Sequence, residues 1–467
     1  MSQGKWMIQT LEENGRLVNW KGSGDPKQLR ACIDSRALKP GDSFFALPGE
    51  QTDGHHFARK ALEQDAGAVL LSQEKLFEEL KGQFAEALII HVDDVLLSLQ
   101  ELASAWVGAM QAKVVGVTGS NGKTGTKNLC AAAMSAVGAT EASRGNLNNL
   151  IGLPMSTLGM SPKTEYIVAE MGCSSFGEIA RLAELFEPEV GIITNIGDAH
   201  LEILGDRDGV ARAKGELAAA LPADGLLLLW EEDPYVSTLT EFCNPRTKVR
   251  TFGFSDGSDL QVEDLGPVGP GRRMRVEGQE LTLASPMRHS ILQAGAAWLL
   301  AREYSAEPEA LVAALSAARP EGNRSSLYKL GAWTLMDDSY NANPDSLRAA
   351  LEWLSQYPAQ GNRWAILGDM LEMGPSGPEV HLEIGREVMA LGNIEMMNYG
   401  PMAGAMADLA GQASFANHDE LATALLSKLG EDDLLLVKGS RGMAMEKVIE
   451  ALERATGNSR EALRFVL

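Results

Sequence analysis

The sequence predicts an α/β protein of three domains: a small mixed α/β amino-terminal domain, a central parallel-sheet domain carrying a phosphate loop, and a smaller open α/β domain at the carboxyl end. Three observations lead there. The chain has 467 residues, room for two to four domains at about 100–200 residues each. Short apolar runs of strand length alternate with helix-length stretches, the pattern of parallel sheets with crossover helices. That alternation restarts after Arg319-Pro320, which sets off a third block. The expected divisions are 1–90, 91–319 and 320–467.

The first block contains the Gly- and Pro-rich segment Ile33 to Phe57, followed by a helix and a strand ending in Gly67-Ala-Val-Leu-Leu71. The second opens with apolar residues at Val92, Val95, Leu96, Leu99, Leu102, Ala103, Trp106, Val107 and Met110. Their three-four spacing makes one helix face, for which core packing is a sufficient reason. Strands are expected at Val114 to Thr118, Tyr166 to Ala169, Val190 to Thr194 and Leu226 to Trp230. In the third block they are expected at Trp333 to Asp337, Trp364 to Gly368, Met396 to Tyr399 and Leu434 to Lys438, a Rossmann-like alternation. A helix should start at Pro344, because proline suits a first helical position.

Composition narrows the function. Asp plus Glu number 63 against 41 Lys plus Arg, a net charge of −22, so neither nucleic acid nor an anionic membrane is an expected partner. Four dispersed cysteines without a CxxC pair argue against a zinc cage or disulfide scaffold. No apolar run is long enough to span a bilayer or serve as a signal peptide. A cytoplasmic enzyme acting on small molecules is the expectation, and nothing demands more than a monomer.

The strongest chemical signal is Val114-Val-Gly-Val-Thr-Gly-Ser-Asn-Gly-Lys-Thr-Gly-Thr126. A buried strand enters a Gly-rich turn and Lys123-Thr124 opens a helix, which aims backbone N–H groups at phosphate oxygens. Gly119, Gly122 and Gly125 admit close approach, Ser120 and Asn121 complete the turn, Lys123 neutralises phosphate and the Thr124 hydroxyl can ligate Mg²⁺. The spacing departs from the strict eight-residue pattern, since Val117 stands five before Gly122. From Leu102 to Thr164 the chain carries one acidic residue, Glu141, against five basic ones. The acidic protein is locally basic where a polyphosphate would bind.

Glu170 ends a strand and is followed by Met171-Gly172, which puts a carboxylate at a strand's carboxyl end, where open α/β sheets bind ligands. His200, in Thr194-Asn-Ile-Gly-Asp-Ala-His200, follows another strand and is read either as a structural hydrogen-bonding residue or as a ligand. Lys214, on its own, reads as a solvated helix lysine.

With these in place the sequence resembles the Mur ligases, ATP-dependent amino-acid and peptide ligases of bacterial cell-wall synthesis. The likeness covers nearly the whole chain. It runs through Asp34-Ser-Arg36, Pro40-Gly-Asp42, Asp53-Gly-His55, Gly145 to Pro154, Asp338-Ser-Tyr-Asn-Ala-Asn-Pro344, Leu367-Gly-Asp-Met-Leu-Glu-Met-Gly374 and Val437-Lys-Gly-Ser-Arg-Gly-Met443. The segment ending at Pro344 is the most discriminating. It points to the branch that joins D-alanyl-D-alanine to UDP-N-acetylmuramoyl-tripeptide through an acyl phosphate.

The resemblance implies that Ser35, Arg36, Asp53 and His55 lie near a UDP-sugar pocket, with Asn146, Asn148 and Asn149 near the substrate in the cleft between domains. It implies ATP on residues 119–125 with Gln293, Arg324, Asp338 and Asn341, and Asn343 near the incoming dipeptide. For Asn341 and Asn343 the other reading is turn chemistry before the Pro344 helix. Two Mg²⁺ ions are implied, with Thr124, Glu170, His200 and Lys214 as ligands. Lys214 matches the lysine carbamylated in Mur ligases, where CO₂ turns an ammonium into an oxygen donor. Lys123, His200 and Lys214 are the implied catalytic residues.

Two segments depart from the family pattern. Met287-Arg-His-Ser-Ile-Leu-Gln293 has Gln293 where an adenine-contacting Asn is usual, and Gly322-Asn-Arg324 replaces a Gly-Arg pair. Asn244-Pro-Arg246 is similar to a motif of a sister ligase but falls in the wrong block. Another amide ligase of the superfamily and a phosphate-loop ATPase or kinase stay open as alternatives.

Overall fold

The structure, a computed structural model, describes residues 2–26, 29–49, 52–410 and 414–463; positions 50 and 51 of the Gly- and Pro-rich segment lie outside them. The described residues form three sheets with helices on their faces. In the first sheet the strand order is Leu17–Lys21, Leu88–Val92, Ala68–Leu71, Ser43–Phe45, Ala31–Cys32, parallel except for the antiparallel pair made by the first two. Val92 therefore ends a strand and does not belong to the helix stripe, as its spacing had suggested. The helix itself is Val95–Met110, whose Asp94 cap accepts the N–H of Leu97. A division at 90 would cut the strand Leu88–Val92, since an apolar strand running straight into an apolar helix leaves no composition change to mark the join.

The helix Val95–Met110 packs against Gln3–Glu13 on one side and Gly152–Leu158 and Glu178–Phe186 on the other. A single apolar core consequently runs from the first sheet into the second.

The central sheet has nine strands. Its parallel part runs Lys248–Gly253, Leu226–Trp230, Val190–Ile193, Lys113–Thr118, Tyr166–Glu170, Thr140–Ala142. Leu226 to Leu229 are all buried, as expected of a strand covered on both faces. The sheet is not wholly parallel. Leu260–Val268 joins it in parallel and then folds back with Gly271–Val276 and Gln279–Leu283 as an antiparallel meander. That extension was missed because its strands are charged: only alternate residues such as Leu260 and Val262 turn inward.

The third sheet runs Ser414–Phe415, Glu395–Tyr399, Arg363–Gly368, Leu434–Lys438, Trp333–Asp338 in parallel, then Ser326–Leu330 and Glu461–Ala462 antiparallel. The helix Pro344–Gln356 begins at the expected proline under a capping box made by Asn343 and Ser346. Among the described residues no helix is long and apolar enough to cross a membrane.

Candidate functional site

In the central sheet, Lys113–Thr118 lies between Val190–Ile193 and Tyr166–Glu170, so successive crossovers leave it on opposite sides. Such a switch point opens a crevice at the strands' carboxyl ends. The phosphate loop fills it. Gly119 has φ 141°, and a Cβ there would stand 2.0 Å from Thr194 Oγ1; Gly122, φ 79°, caps the helix Lys123–Met134. Ser120 Oγ is donor to Gly197 O at 3.0 Å and acceptor from Gly197 N–H at 2.8 Å, and Asn121 N–H donates to Asn195 Oδ1 at 3.0 Å. These bonds preform the loop.

Lys123 Nζ donates to the carbonyls of Gly119 and Ser120 at 2.8 and 3.0 Å, which holds the ammonium over the loop. Desolvation by the surrounding protein pushes it down to about 8; the charge of Lys214 adds to this and Glu170 opposes it. A cation so weakly paired is poised for an anionic ligand.

Thr124 Oγ1 donates to Glu170 Oε2 at 2.7 Å, and Asn148 Nδ2 donates to Glu170 Oε1 at 2.8 Å. The buried carboxylate thus sits beside a hydroxyl, a hard-oxygen pair that fits Mg²⁺. Among the described residues no three His, Cys, Asp or Glu side chains form a metal cage. Thr124, Glu170 and His200 line the same cavity. The His200 ring lies with Nδ1 2.7 Å from Glu372 Oε2 of the third sheet's loops, and burial lowers its pKa while Glu372 opposes the drop.

Lys214 is not a solvated lysine. It is 1% exposed, and its Nζ donates to Cys173 Sγ at 3.0 Å. The helix Arg207–Ala220 turns that face inward, a fact that helical periodicity around small alanines did not disclose.

A cavity of about 940 Å³ joins the phosphate loop to the third sheet. Gln293, Arg324, Asp338, Asn341, Asn343, Asn148, Asn149 and His200 all line it. Gln293 packs on the loop itself, with Oε1 2.4 Å from where a Cβ on Gly125 would stand. The Arg324 guanidinium lies over the Tyr340 ring at 3.6 Å. Asp338 accepts from Ser325 N–H at 2.8 Å and from Lys438 Nζ at 2.5 Å, and Lys438 also reaches Asn341 O. Asn343 does more than cap its helix: its Nδ2 donates to Asn121 Oδ1 of the phosphate loop at 2.6 Å.

Other expected residues lie elsewhere. Ser35, Arg36, Asp53 and His55 belong to the first sheet's loops, and Asn146 is exposed; none of these five lines the cavity. His55 is spent internally, its Nδ1 2.6 Å from Asp53 Oδ1 and its Nε2 accepting Ser72 N–H at 3.0 Å. Arg36 is exposed and pairs with Asp34 at 2.8 Å. Residues that the sequence did not single out include Lys127, 1% exposed, which donates to the carbonyls of Ser143 and Gly145 and stands 3.9 Å from Glu170 and 3.7 Å from Glu321. Lys438 was visible only as part of a motif without a role.

Family models match three stretches: the Mur ligase family catalytic domain at residues 31–107, the Mur ligase middle domain at 117–295 and the Mur ligase glutamate ligase domain at 323–441. The chain belongs to the Mur ligase family. It is 35% identical over 454 residues to UDP-N-acetylmuramoyl-tripeptide–D-alanyl-D-alanine ligase of Escherichia coli K12, covering 95% of this chain and 98% of that one. The same-named ligase of Bacillus subtilis is 32% identical, with 90% and 92% covered. The structure of MurF from Acinetobacter baumannii superposes with a TM-score of 0.84 at 27% identity over 96% of this chain and 98% of that one. MurF ligase from Thermotoga maritima in complex with ADP gives 0.77 at 24%, covering 91% and 97%, a likeness of fold. This Mur ligase therefore shares its three-domain architecture with solved relatives over 96% of its length.

Proposed function

We propose that this Mur ligase joins D-alanyl-D-alanine to UDP-N-acetylmuramoyl-tripeptide at the expense of ATP, giving UDP-N-acetylmuramoyl-pentapeptide, ADP and phosphate. The observation that carries the reading is the 2.6 Å bond from Asn343, in the discriminating segment of the third sheet, to Asn121 of the phosphate loop. Nucleotide and dipeptide chemistry then share one cavity.

The tripeptide carboxylate is a poor electrophile. It attacks the γ-phosphorus of ATP, the bond to the β-bridging oxygen breaks, and ADP leaves an acyl phosphate behind. The neutral dipeptide amine adds to the acyl carbon, its nitrogen releases a proton to solvent, and the tetrahedral intermediate expels inorganic phosphate and leaves the amide. Positioning and charge stabilisation suffice for such transfers. Lys123 and the loop N–H groups hold the phosphates, and Gln293, Arg324, Asp338 and Asn341 form the rest of the nucleotide site. Asn148, Asn149 and Asn343 face the acceptor side. Mg²⁺ held by Thr124, Glu170 and His200, with a second ion at a Lys214 carbamate, would neutralise phosphoryl oxygens. Support for the carbamate is that Lys214 is buried beside a thiol, with no carboxylate within ion-pair distance among the described residues.

The first sheet, with Ser35 and Arg36 in its loops, is proposed to hold the UDP-sugar through residues up to about 92; the central unit then extends to 319 and the third from 320. A cytoplasmic monomer accords with this chemistry. The test is phosphate release from ATP and UDP-N-acetylmuramoyl-tripeptide, with and without D-alanyl-D-alanine, plus the product mass. Release should require the dipeptide and yield the pentapeptide. Release indifferent to it, with no pentapeptide, sinks the ligase reading in favour of an ATPase.

A further inference from the structure

His200 and the loop after the strand Arg363–Gly368 meet across the two units. Glu372 Oε2 lies 2.7 Å from His200 Nδ1. This is an ion-pair contact, and because an ionised carboxylate can only accept, it favours the tautomer with the proton on Nδ1. The other nitrogen, Nε2, has no hydrogen-bond partner among the described residues, and the His200 side chain lines the cavity. With Nδ1 protonated, a neutral ring presents its lone pair at Nε2.

The Glu372 loop is held in place from behind. Met370 N–H donates to Nε2 of the wholly buried His381 at 2.9 Å, and Leu371 N–H donates to Ser440 Oγ at 2.8 Å. Ser440 Oγ in turn donates to Ala342 O at 3.1 Å, tying this loop to the turn that contains Asn341 and Asn343. Glu372 adopts φ 63° at its tip. Its partner is equally set: His200 has φ 54° and ψ 34°, and the next residue, Leu201, packs on the third sheet's core.

We propose that Glu372 is a positioning residue for the reaction, accepting the Nδ1–H of His200 so that Nε2 is held toward the cavity as an electron-pair donor only when the third-sheet loop is docked. The inference rests on the ligase reading for its kinetic arm alone. A carboxylate behind a ligating imidazole fixes tautomer and ring direction, and losing one typically costs about 10–100-fold in metal affinity or activity. Like the bond from Asn343 to Asn121, this contact makes a central-sheet residue depend directly on third-sheet docking.

Two measurements test it. Kinetically, Glu372→Ala should lower kcat about tenfold with the KM for ATP within about twofold and an unchanged unfolding midpoint, because the side chain is 62% exposed. Glu372→Gln, which keeps an acceptor oxygen, should retain most of kcat. Wild-type kcat in Glu372→Ala, or equal impairment in both variants, overturns the proposal. Spectroscopically, a long-range ¹H–¹⁵N spectrum of the full chain, with His200 assigned by its loss in His200→Gln, should show the Nδ1–H tautomer in the wild type and a mixture in Glu372→Ala. An identical tautomer ratio in both overturns it independently of turnover. A wild type that forms no pentapeptide fails the ligase reading instead, and leaves the tautomer measurement to decide this one.

Discussion

Two lysines of the cavity region look alike in sequence and differ in the fold. Lys123 sits in a strand, Gly-rich turn and helix context that assigns it to phosphate, and its ammonium leans on two loop carbonyls rather than on a carboxylate. Lys123→Ala should therefore lower kcat/KM for ATP by about a hundredfold or more, in line with the loss of one preorganised charge-stabilising donor; a deficit below tenfold would remove it from the phosphate site. Lys214 was legible only by family likeness, because its burial against Cys173 comes from a helix face that reads as small and polar. If it works as a carbamate, Lys214→Ala should lose turnover, and added short carboxylates should restore part of it by supplying the missing oxygens. Full activity of the unsupplemented variant would remove that role. Lys127 escaped notice for another reason: a lysine four positions after Lys123 reads as solvated helix surface, and its partner Glu321 belongs to a distant segment.

At the scale of the element, strands buried on both faces were plain in sequence, and those of the meander from Leu260 to Leu283 were not, since their outward residues are charged. The helix start at Pro344 was legible too, but its double duty was not. Asn343 accepts Ser346 N–H at 2.9 Å as a cap and donates to Asn121 at 2.6 Å as a bridge. Replacing an Asn cap by Ala costs about 1 kcal/mol, so Asn343→Ala should lower the unfolding midpoint and also raise the KM for ATP. Asn343→Ser separates the two, because serine caps well but is too short to reach Asn121. Its midpoint should stay near wild type while the KM rises; a wild-type KM in both variants would show the bridge to be idle. In the central unit, the helix His289–Glu303 buries Trp298 completely against the central sheet. Trp298→Ala should cost about 3–5 kcal/mol, read as a fall in denaturant midpoint without a specific effect on either substrate's KM.

Across the whole molecule, the net charge of −22 coexists with a basic stretch around the phosphate loop because fields at a binding site are local: screening confines distant carboxylates to within about 10 Å at 0.1 M salt. The three-block organisation could be read from Pro and Gly between repeating α/β patterns, but not the way the third sheet docks, which depends on pairs far apart in sequence. Beside the packing of Leu201 and Met287 on the third sheet's core, several of those contacts are polar. Asn343 Nδ2 donates to Asn121 Oδ1 at 2.6 Å, Arg207 stands 3.6 Å from Asp345, and His200 meets Glu372. Exposed ion pairs contribute about 0–1 kcal/mol each, so the third sheet is held by an interface weak enough to open, as polar interfaces between units of one chain commonly are. An acyl phosphate must be kept from water, which calls for closure once substrates are in place. The turning point should be Arg319-Pro320-Glu321-Gly322, where Gly322 has φ 62° and no neighbouring atom would obstruct a Cβ. Glu321, fastened to the phosphate-loop helix through Asn128 and facing Lys127, stays with the central sheet while the residues beyond it rotate. Fluorophores placed on the central and third sheets should consequently report a shorter distance when ATP and UDP-N-acetylmuramoyl-tripeptide are both bound, and Glu321→Ala should broaden the distance distribution of the free enzyme. Superimposable distances with and without substrates would exclude a hinge at this linker.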